Sequence, residues 1–165
     1  MFKHFLILWA FMAGPAMADE AASYFNDARL VSDHVWIGPQ PDAEDFSEFA
    51  AEQVGLVLNT RTAGEMDQLE FDQANVAQTL GLSYELLEIG QDHPYSPAKL
   101  AAFNDILEAH RGEKVVLHCR SGNRASQLYA AWLIKYQNKT PAEALKAIHS
   151  DESELTDAMK TLLGQ

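Results

Sequence analysis

The chain is poor in cysteine and in basic residues. It has one cysteine, so it forms no internal disulfide bond. It contains 12 Lys and Arg residues and 24 Asp and Glu residues, which give a net charge of −12 at pH 7. Such an acidic chain is poorly suited to binding nucleic acid or an anionic membrane surface. Since it also shows no repeats, low-complexity segments or internal linker, we predict one domain.

A long hydrophobic run is also missing. The apolar stretch near the N-terminus, Phe5 to Met12, is too short to span a bilayer comfortably. Lys3 precedes it and Ala16-Met17-Ala18 follows, which is the three-part pattern of a secretory signal. We therefore predict that residues 1–18 are a signal peptide and residues 19–165 the exported domain, most simply in a bacterial periplasm. Loss of one Lys and no acid leaves 11 basic and 24 acidic residues, a net charge of −13.

Strand-like and helix-like segments alternate along the rest of the chain. This order predicts a three-layer α/β/α domain with a mainly parallel sheet of about four to five strands. The loops after Asn59, Ile89 and His118 should then converge at the carboxyl edge of the sheet, where such folds bind ligands. The predicted strands are 28–31, 34–37, 56–59, 84–89 and one beginning at 115; the predicted helices are 41–54, 67–80, 97–111, 127–135, 142–149 and 153–163.

The single cysteine stands where an apolar strand turns into a helix. Cys119 and the next five residues, Arg120-Ser121-Gly122-Asn123-Arg124, form the connecting loop. Backbone N–H groups and the helix dipole converge at such a turn, and with two arginines nearby they lower the pKa of a thiol. The same groups bind a tetrahedral oxyanion such as phosphate. A buried, inert cysteine is the alternative interpretation.

Other polar residues near this loop have two interpretations each. Arg61 is either a surface charge or a second anion contact, and Arg120 either binds substrate or faces solvent. His118 either hydrogen-bonds within the loop and tunes the cysteine or is a satisfied core histidine. Ser121 and Asn123 shape the loop through hydrogen bonds. No metal is predicted, because His110 and His149 lack ligand-like spacing.

The segment His118 to Arg124, following Val-Val-Leu, resembles the phosphate-binding loop of cysteine-dependent protein tyrosine and dual-specificity phosphatases. It is most similar to the bacterial beta-lactamase-hydrolase-like branch. The similarity covers most of the chain after the signal: the segments 29–33 and 37–41, the strand end at 58–61, the helix start at Ser96-Pro97 and the helix 127–134.

The resemblance implies a dual-specificity-phosphatase-like fold and a role for each matching residue. Cys119 would be the nucleophile that forms a phosphocysteine, and Arg124 would clamp the phosphoryl oxygens. Asp92 would be the general acid, with His93 as a second possible donor. The alternative interpretation of Asp92 is an acid in the turn before the Ser96 helix that only stabilises that helix. Ser126 stands where a hydroxyl assists the leaving thiolate; Arg120, Ser121, Gly122, Asn123 and Arg61 complete the predicted substrate site. The implied substrate is a phosphorylated small molecule or a phosphoprotein, and no cofactor is required.

The spacing of the loop keeps two alternatives open. The usual phosphatase loop has five residues between cysteine and arginine, whereas four separate Cys119 from Arg124, and Ala125 holds the usual arginine position. The short spacing is shared with the bacterial branch, but it also resembles the loop of many rhodaneses, sulfurtransferases that carry a persulfide on the cysteine. A non-catalytic module that binds an oxyanion is the other alternative. The lack of a second domain and the candidate acid Asp92 favour the phosphatase.

Overall fold

The fold is described from a computed structural model for residues 22–165. The predicted signal peptide, 1–18, lies outside these residues. Five strands alternate with eight helices in the described part of the chain: α1 Tyr24–Asp27, β1 Arg29–Ser32, β2 Val35–Gly38, α2 Asp45–Ala51, β3 Val54–Asn59, α3 Ala63–Met66, α4 Gln73–Thr79, β4 Ser83–Leu86, α5 Pro97–Ala109, β5 Lys114–His118, α6 Asn123–Tyr136, α7 Pro141–Ala147 and α8 Asp157–Leu163.

The strands form one sheet in the order β1-β2-β5-β3-β4. The hairpin β1–β2 is antiparallel, and the other three pairings are parallel. Strand β5 therefore lies at the centre, between β2 and β3, and its carboxyl end is flanked by the ends of both neighbours. The prediction of a mainly parallel sheet of four to five strands is confirmed.

Alternation along β5 divides the core between the two faces of the sheet. Val115 and Leu117 belong to the larger cluster, and Val116 belongs to the smaller one. The larger cluster also holds Phe103 of α5, Leu128 of α6 and apolar residues of α7 and α8. The smaller cluster contains the buried faces of α1, α2 and α4. The sheet is thus covered by helices on both sides, as predicted.

Several helices are shorter than their apolar patterns predict. Helix α2 does not begin at Pro41, because the Asp42 carboxylate accepts hydrogen bonds from the Glu44 and Asp45 amides and forms a turn there. It ends before Gln53, whose φ is 60°, so Val54 already belongs to β3. Helix α4 starts only at Gln73, capped by Asp72, although we predicted 67–80. The last helix likewise begins at Asp157, capped by Thr156, and not at Ser153.

The helix after the cysteine is longer than predicted. It begins at Asn123 and not at Gln127, because Gly122 caps it in the left-handed conformation with φ 86°. Arg124 therefore lies in its first turn, and its amide joins those that face the end of β5. None of the helices formed by residues 22–165 has the length and apolar character that a bilayer span requires.

Candidate active site

The loops at the carboxyl edge of the sheet meet around the end of β5, as predicted. The Thr60 amide, just after β3, donates to the His118 carbonyl at 2.9 Å. Arg124, the last residue of the cysteine loop, donates to the Ile89 carbonyl at 2.7 Å. Hydrogen bonds thus join the chain segments after β3, at Ile89 and after β5, which the sequence analysis predicted to meet here.

The sulfur of Cys119 lies inside a ring of backbone donors. Only 1% of the residue is exposed, and the Gly122 amide lies 3.1 Å from Sγ. Burial raises the pKa of the thiol, but the amides of Ser121, Arg124 and Ala125 and the charge of Arg124 outweigh it. The resulting pKa is lower than that of an ordinary cysteine. The thiolate, which is the nucleophilic form, therefore forms more readily here than in an ordinary cysteine.

Arg124 is held in place by a carboxylate that the sequence analysis did not identify. Its Nη1 and Nη2 atoms donate to the two oxygens of Glu65, both at 2.7 Å. Nη1 also donates to the Ile89 carbonyl. A guanidinium has five N–H donors, so Nε–H and one N–H of Nη2 are left for other acceptors. These two form a fork that suits a phosphoryl group. The hydrogen bonds to Glu65, and after them the neighbouring Cys119 sulfur, raise the pKa of Arg124.

Glu65 is positioned by a short helix that begins where we predicted a plain loop. The Thr62 hydroxyl accepts from the Glu65 amide, and the Glu65 carboxylate accepts from the Thr62 amide at 2.9 Å. This capping box has the sequence signature Thr-x-x-Glu. The signature is present in the sequence, but nothing in the sequence connects Glu65 to Arg124, 59 residues later.

Arg61 is buried, which contradicts its interpretation as a surface charge. Its Nη1 donates to Gln40 Oε1 at 2.7 Å, and its Nε lies 3.4 Å from the Glu65 carboxylate. The backbone amide of Arg61 is bound by the Asn59 side chain, which fixes the turn after β3. Arg61 therefore contacts the carboxylate that holds Arg124.

His118 is fully buried below the loop. Its Nδ1 lies 3.4 Å from the Cys119 carbonyl oxygen, and its Nε2 has no hydrogen-bond partner among the described residues. Burial and the charge of Arg61 lower its pKa to about 3, against the opposing effect of the bond to the Cys119 carbonyl. The ring is consequently neutral near pH 7 and adds no positive charge to the loop. Its contribution to the loop is the contact between its Nδ1 and the Cys119 carbonyl.

The remaining loop residues differ in exposure. Arg120, Ser121 and Asn123 are exposed, and Asn123 Oδ1 accepts from Gln127 Nε2 at 3.1 Å. Ser126 is buried: its hydroxyl donates to the Gly122 carbonyl at 2.9 Å and accepts from Arg29 at 2.8 Å. The Ser126 hydroxyl thus has two partners, the loop carbonyl of Gly122 and the guanidinium of Arg29 in β1, and neither is the sulfur.

The two candidate acids lie on a tight turn. The Gly90 and His93 backbones bond to each other in both directions. Asp92 is exposed within this turn, which starts next to the Ile89 carbonyl bound by Arg124. His93 lies 3.5 Å from the Glu88 carboxylate.

Tyr95 is a site residue that the sequence analysis missed. Burial and the neighbouring thiolate of Cys119 raise the pKa of its phenol to about 12, although Arg124 opposes the shift. Together with Ser121, Ser126 and Arg29 it lines a polar pocket of about 700 Å³ beside the loop. No sequence pattern points to Tyr95, because it precedes the helix cap Ser96 as an ordinary loop residue.

Residues 27–134 match the family model described as "Beta-lactamase hydrolase-like protein, phosphatase-like domain". The chain belongs to this family. The resemblance seen in the cysteine loop is therefore confirmed.

A curated relative and two solved structures extend the comparison. MAP kinase phosphatase with leucine-rich repeats protein 3 of Dictyostelium discoideum is 29% identical over 106 residues, which cover 51% of this chain and only 12% of that protein. The structure of Tk-PTP in the active form has a TM-score of 0.68 at 19% identity, covering 84% of this chain and 97% of Tk-PTP. PTPMT1 in complex with PI(5)P gives 0.67 at 21% identity, covering 84% and 93%. These two structures confirm the dual-specificity-phosphatase-like fold.

We predict that Glu65→Gln destabilises the protein in a pH-dependent way. The bonds from Arg124, followed by the bond to the Thr62 amide, lower the pKa of Glu65 to about 2, against an ordinary value of 4.5. Because the folded pKa is depressed, its stabilising effect is complete above pH 4.5 and is lost as the pH falls towards 2. We expect the variant to be less stable by about 1–3 kcal/mol at pH 7.

Urea denaturation of both proteins between pH 7 and pH 2.5 measures this difference. It should shrink as the solution becomes more acidic. Glu85→Gln, on an exposed position of β4, is the matched control and should follow the wild type at every pH. A gap between Glu65→Gln and wild type that stays constant down to pH 2.5 would contradict the account.

Proposed function

We propose that this protein is a phosphatase that hydrolyses phosphate monoesters through a phosphocysteine on Cys119. The observation that carries the proposal is the buried sulfur, which accepts from the Gly122 amide at 3.1 Å and faces an arginine held by Glu65. Family membership supports the same chemistry. The expected substrate is a phosphorylated small molecule or a phosphoprotein, and the polar pocket beside the loop can receive a polar leaving group.

The first step is an in-line attack of the Cys119 thiolate on phosphorus. A sulfur–phosphorus bond forms as the phosphorus–oxygen ester bond breaks. The loop amides and the Nε and Nη2 donors of Arg124 bind the equatorial oxygens, where charge is held in the transition state. The leaving oxygen takes a proton and departs as an alcohol.

We propose Asp92 as the donor of that proton. Its exposed position, on a turn that begins beside the Arg124 contact at Ile89, leaves the carboxyl group free to meet a bound ester. In the second step, the resulting carboxylate accepts a proton from water, whose oxygen attacks phosphorus while the sulfur–phosphorus bond breaks. Phosphate is released and the thiolate is restored.

The central test is hydrolysis of para-nitrophenyl phosphate by residues 19–165 under reducing conditions. We expect turnover by the wild type and its loss in Cys119→Ser, because a serine hydroxyl is not ionised near neutral pH. Thiosulfate–cyanide sulfur transfer is run in parallel. Cys119-dependent thiocyanate without phosphate release would instead assign sulfur transfer, and phosphate binding by Cys119→Ser with an inactive wild type would assign a binding module.

The acid is tested with two esters of different leaving-group quality. We predict that Asp92→Asn slows hydrolysis of phenyl phosphate about 100-fold and that of para-nitrophenyl phosphate much less, since the nitrophenolate departs without a proton. His93→Asn is the matched control on the same turn. Equal rates for Asp92→Asn and wild type on phenyl phosphate would remove Asp92 from this role, and a selective loss in His93→Asn would transfer it to His93.

We also propose export to the periplasm, supported by the signal pattern of residues 1–18. Mass spectrometry of the protein recovered from the periplasmic fraction of a Gram-negative host should give an N-terminus at Asp19. Full-length protein that remains in the cytoplasmic fraction would contradict export.

A further inference from the structure

A chain of hydrogen bonds connects the first strand to the sulfur. Arg29, at the start of β1, donates from Nη2 to Ser126 Oγ at 2.8 Å. The Ser126 hydroxyl donates to the Gly122 carbonyl at 2.9 Å. The Gly122 amide in turn lies 3.1 Å from Cys119 Sγ. Arg29 is 97 positions from Ser126 in the sequence, so this chain exists only in the folded protein.

Gly122 is the residue through which this chain reaches the sulfur. Its φ of 86° lies in the left-handed region, which glycine adopts without strain. A glycine in a loop has many backbone conformations available. In the one observed here, its amide lies 3.1 Å from the sulfur and its carbonyl accepts from Ser126. Two bonds from Ser126 hold that carbonyl: the backbone amide donates to it at 2.9 Å as the first turn of α6, and the side-chain hydroxyl donates to it at 2.9 Å as a second restraint.

The Arg29 guanidinium has no carboxylate partner among the described residues, unlike three other arginines there. Arg61 and Arg124 pair with Glu65, and Arg111 pairs with Glu108. No carboxylate among residues 22–165 lies within 4.0 Å of Arg29. Its contact with the neutral Ser126 hydroxyl is therefore not a by-product of an ion pair with a nearby acid.

We infer that Arg29 is a positioning residue for the Cys119 nucleophile: through Ser126 it fixes the Gly122 backbone that donates to the sulfur. The inference rests on the proposed function only in treating Cys119 as the nucleophile. Arg29 itself does not touch the reacting atoms. It acts on the thiolate because an amide turned towards the sulfur stabilises its negative charge and a carbonyl turned towards it does not.

The thiol also faces other ionisable groups, which the experiment must leave unchanged. Arg124 of α6 favours the thiolate. Tyr24 of α1 and Tyr95 before α5 both have raised pKa values, caused first by burial and then in part by the sulfur, and His118 of β5 is neutral. None of these four residues is altered in the variants below.

The test is the pH dependence of Cys119 alkylation by iodoacetamide. Since the protein has one cysteine, the rate reports on this thiol alone, whether or not the protein is a phosphatase. We expect Arg29→Met and Ser126→Ala each to raise the midpoint of the rate profile by about one pH unit, the effect of losing one hydrogen bond to the loop. The double variant should show no larger shift than either single one, because both break the same chain.

Two further variants separate positioning from general loss of structure. Arg29→Lys keeps a donor and should restore most of the wild-type midpoint. Arg111→Met removes an exposed arginine outside the loop and should leave the midpoint unchanged. Near-ultraviolet circular dichroism identifies any variant that fails to fold, and Ser126→Ala then carries the test alone. A wild-type midpoint in Arg29→Met or Ser126→Ala, additive shifts in the double variant, or a lysine variant that behaves like methionine would overturn the inference.

Discussion

A negative charge on a buried sulfur is the condition that the rest of this site must satisfy. Cys119 is almost completely enclosed, and burial alone favours the neutral thiol. The pKa of the thiol is lowered because several amides and the charge of Arg124 act on one atom. The amides converge there because a helix starts immediately after the loop. The left-handed Gly122 provides that start, and the central position of β5 supports the loop from both sides.

The need to stabilise a negative charge on the sulfur also explains the contacts that hold Arg124. Arg124 supplies the positive charge, but a free guanidinium at a loop edge would sample many orientations. Glu65 fixes it through two bonds and leaves a fork of donors for an oxyanion. Glu65 is itself fixed by the Thr62 cap and contacted by Arg61. The proposed anion site thus depends on residues that follow β3 and β5 together.

The sequence predicted the parts of this arrangement that depend on local pattern. The strand-loop-helix unit at Cys119, the mainly parallel sheet and the meeting of loops after Asn59, Ile89 and His118 are confirmed. The family is confirmed as well. These features follow from apolar periodicity, glycine and proline positions and the fixed handedness of parallel strand connections.

What the sequence did not predict depends on distant pairs of side chains. Glu65, Tyr95 and Arg29 lie far from the cysteine loop in sequence, and no local rule assigns them a partner there. Arg61 was equally consistent with a surface position until the fold placed it against Gln40 and Glu65. Helices α2 and α4 begin later than predicted, at Asp45 and Gln73, because the side chains of Asp42 and Asp72 accept hydrogen bonds from nearby backbone amides. Trapping the covalent intermediate tests the central claim most directly: after acid quenching during turnover of para-nitrophenyl phosphate, mass spectrometry should find a phosphoryl group on the peptide containing Cys119. Turnover with an unmodified or persulfide-bearing Cys119 at every quench time would contradict the account.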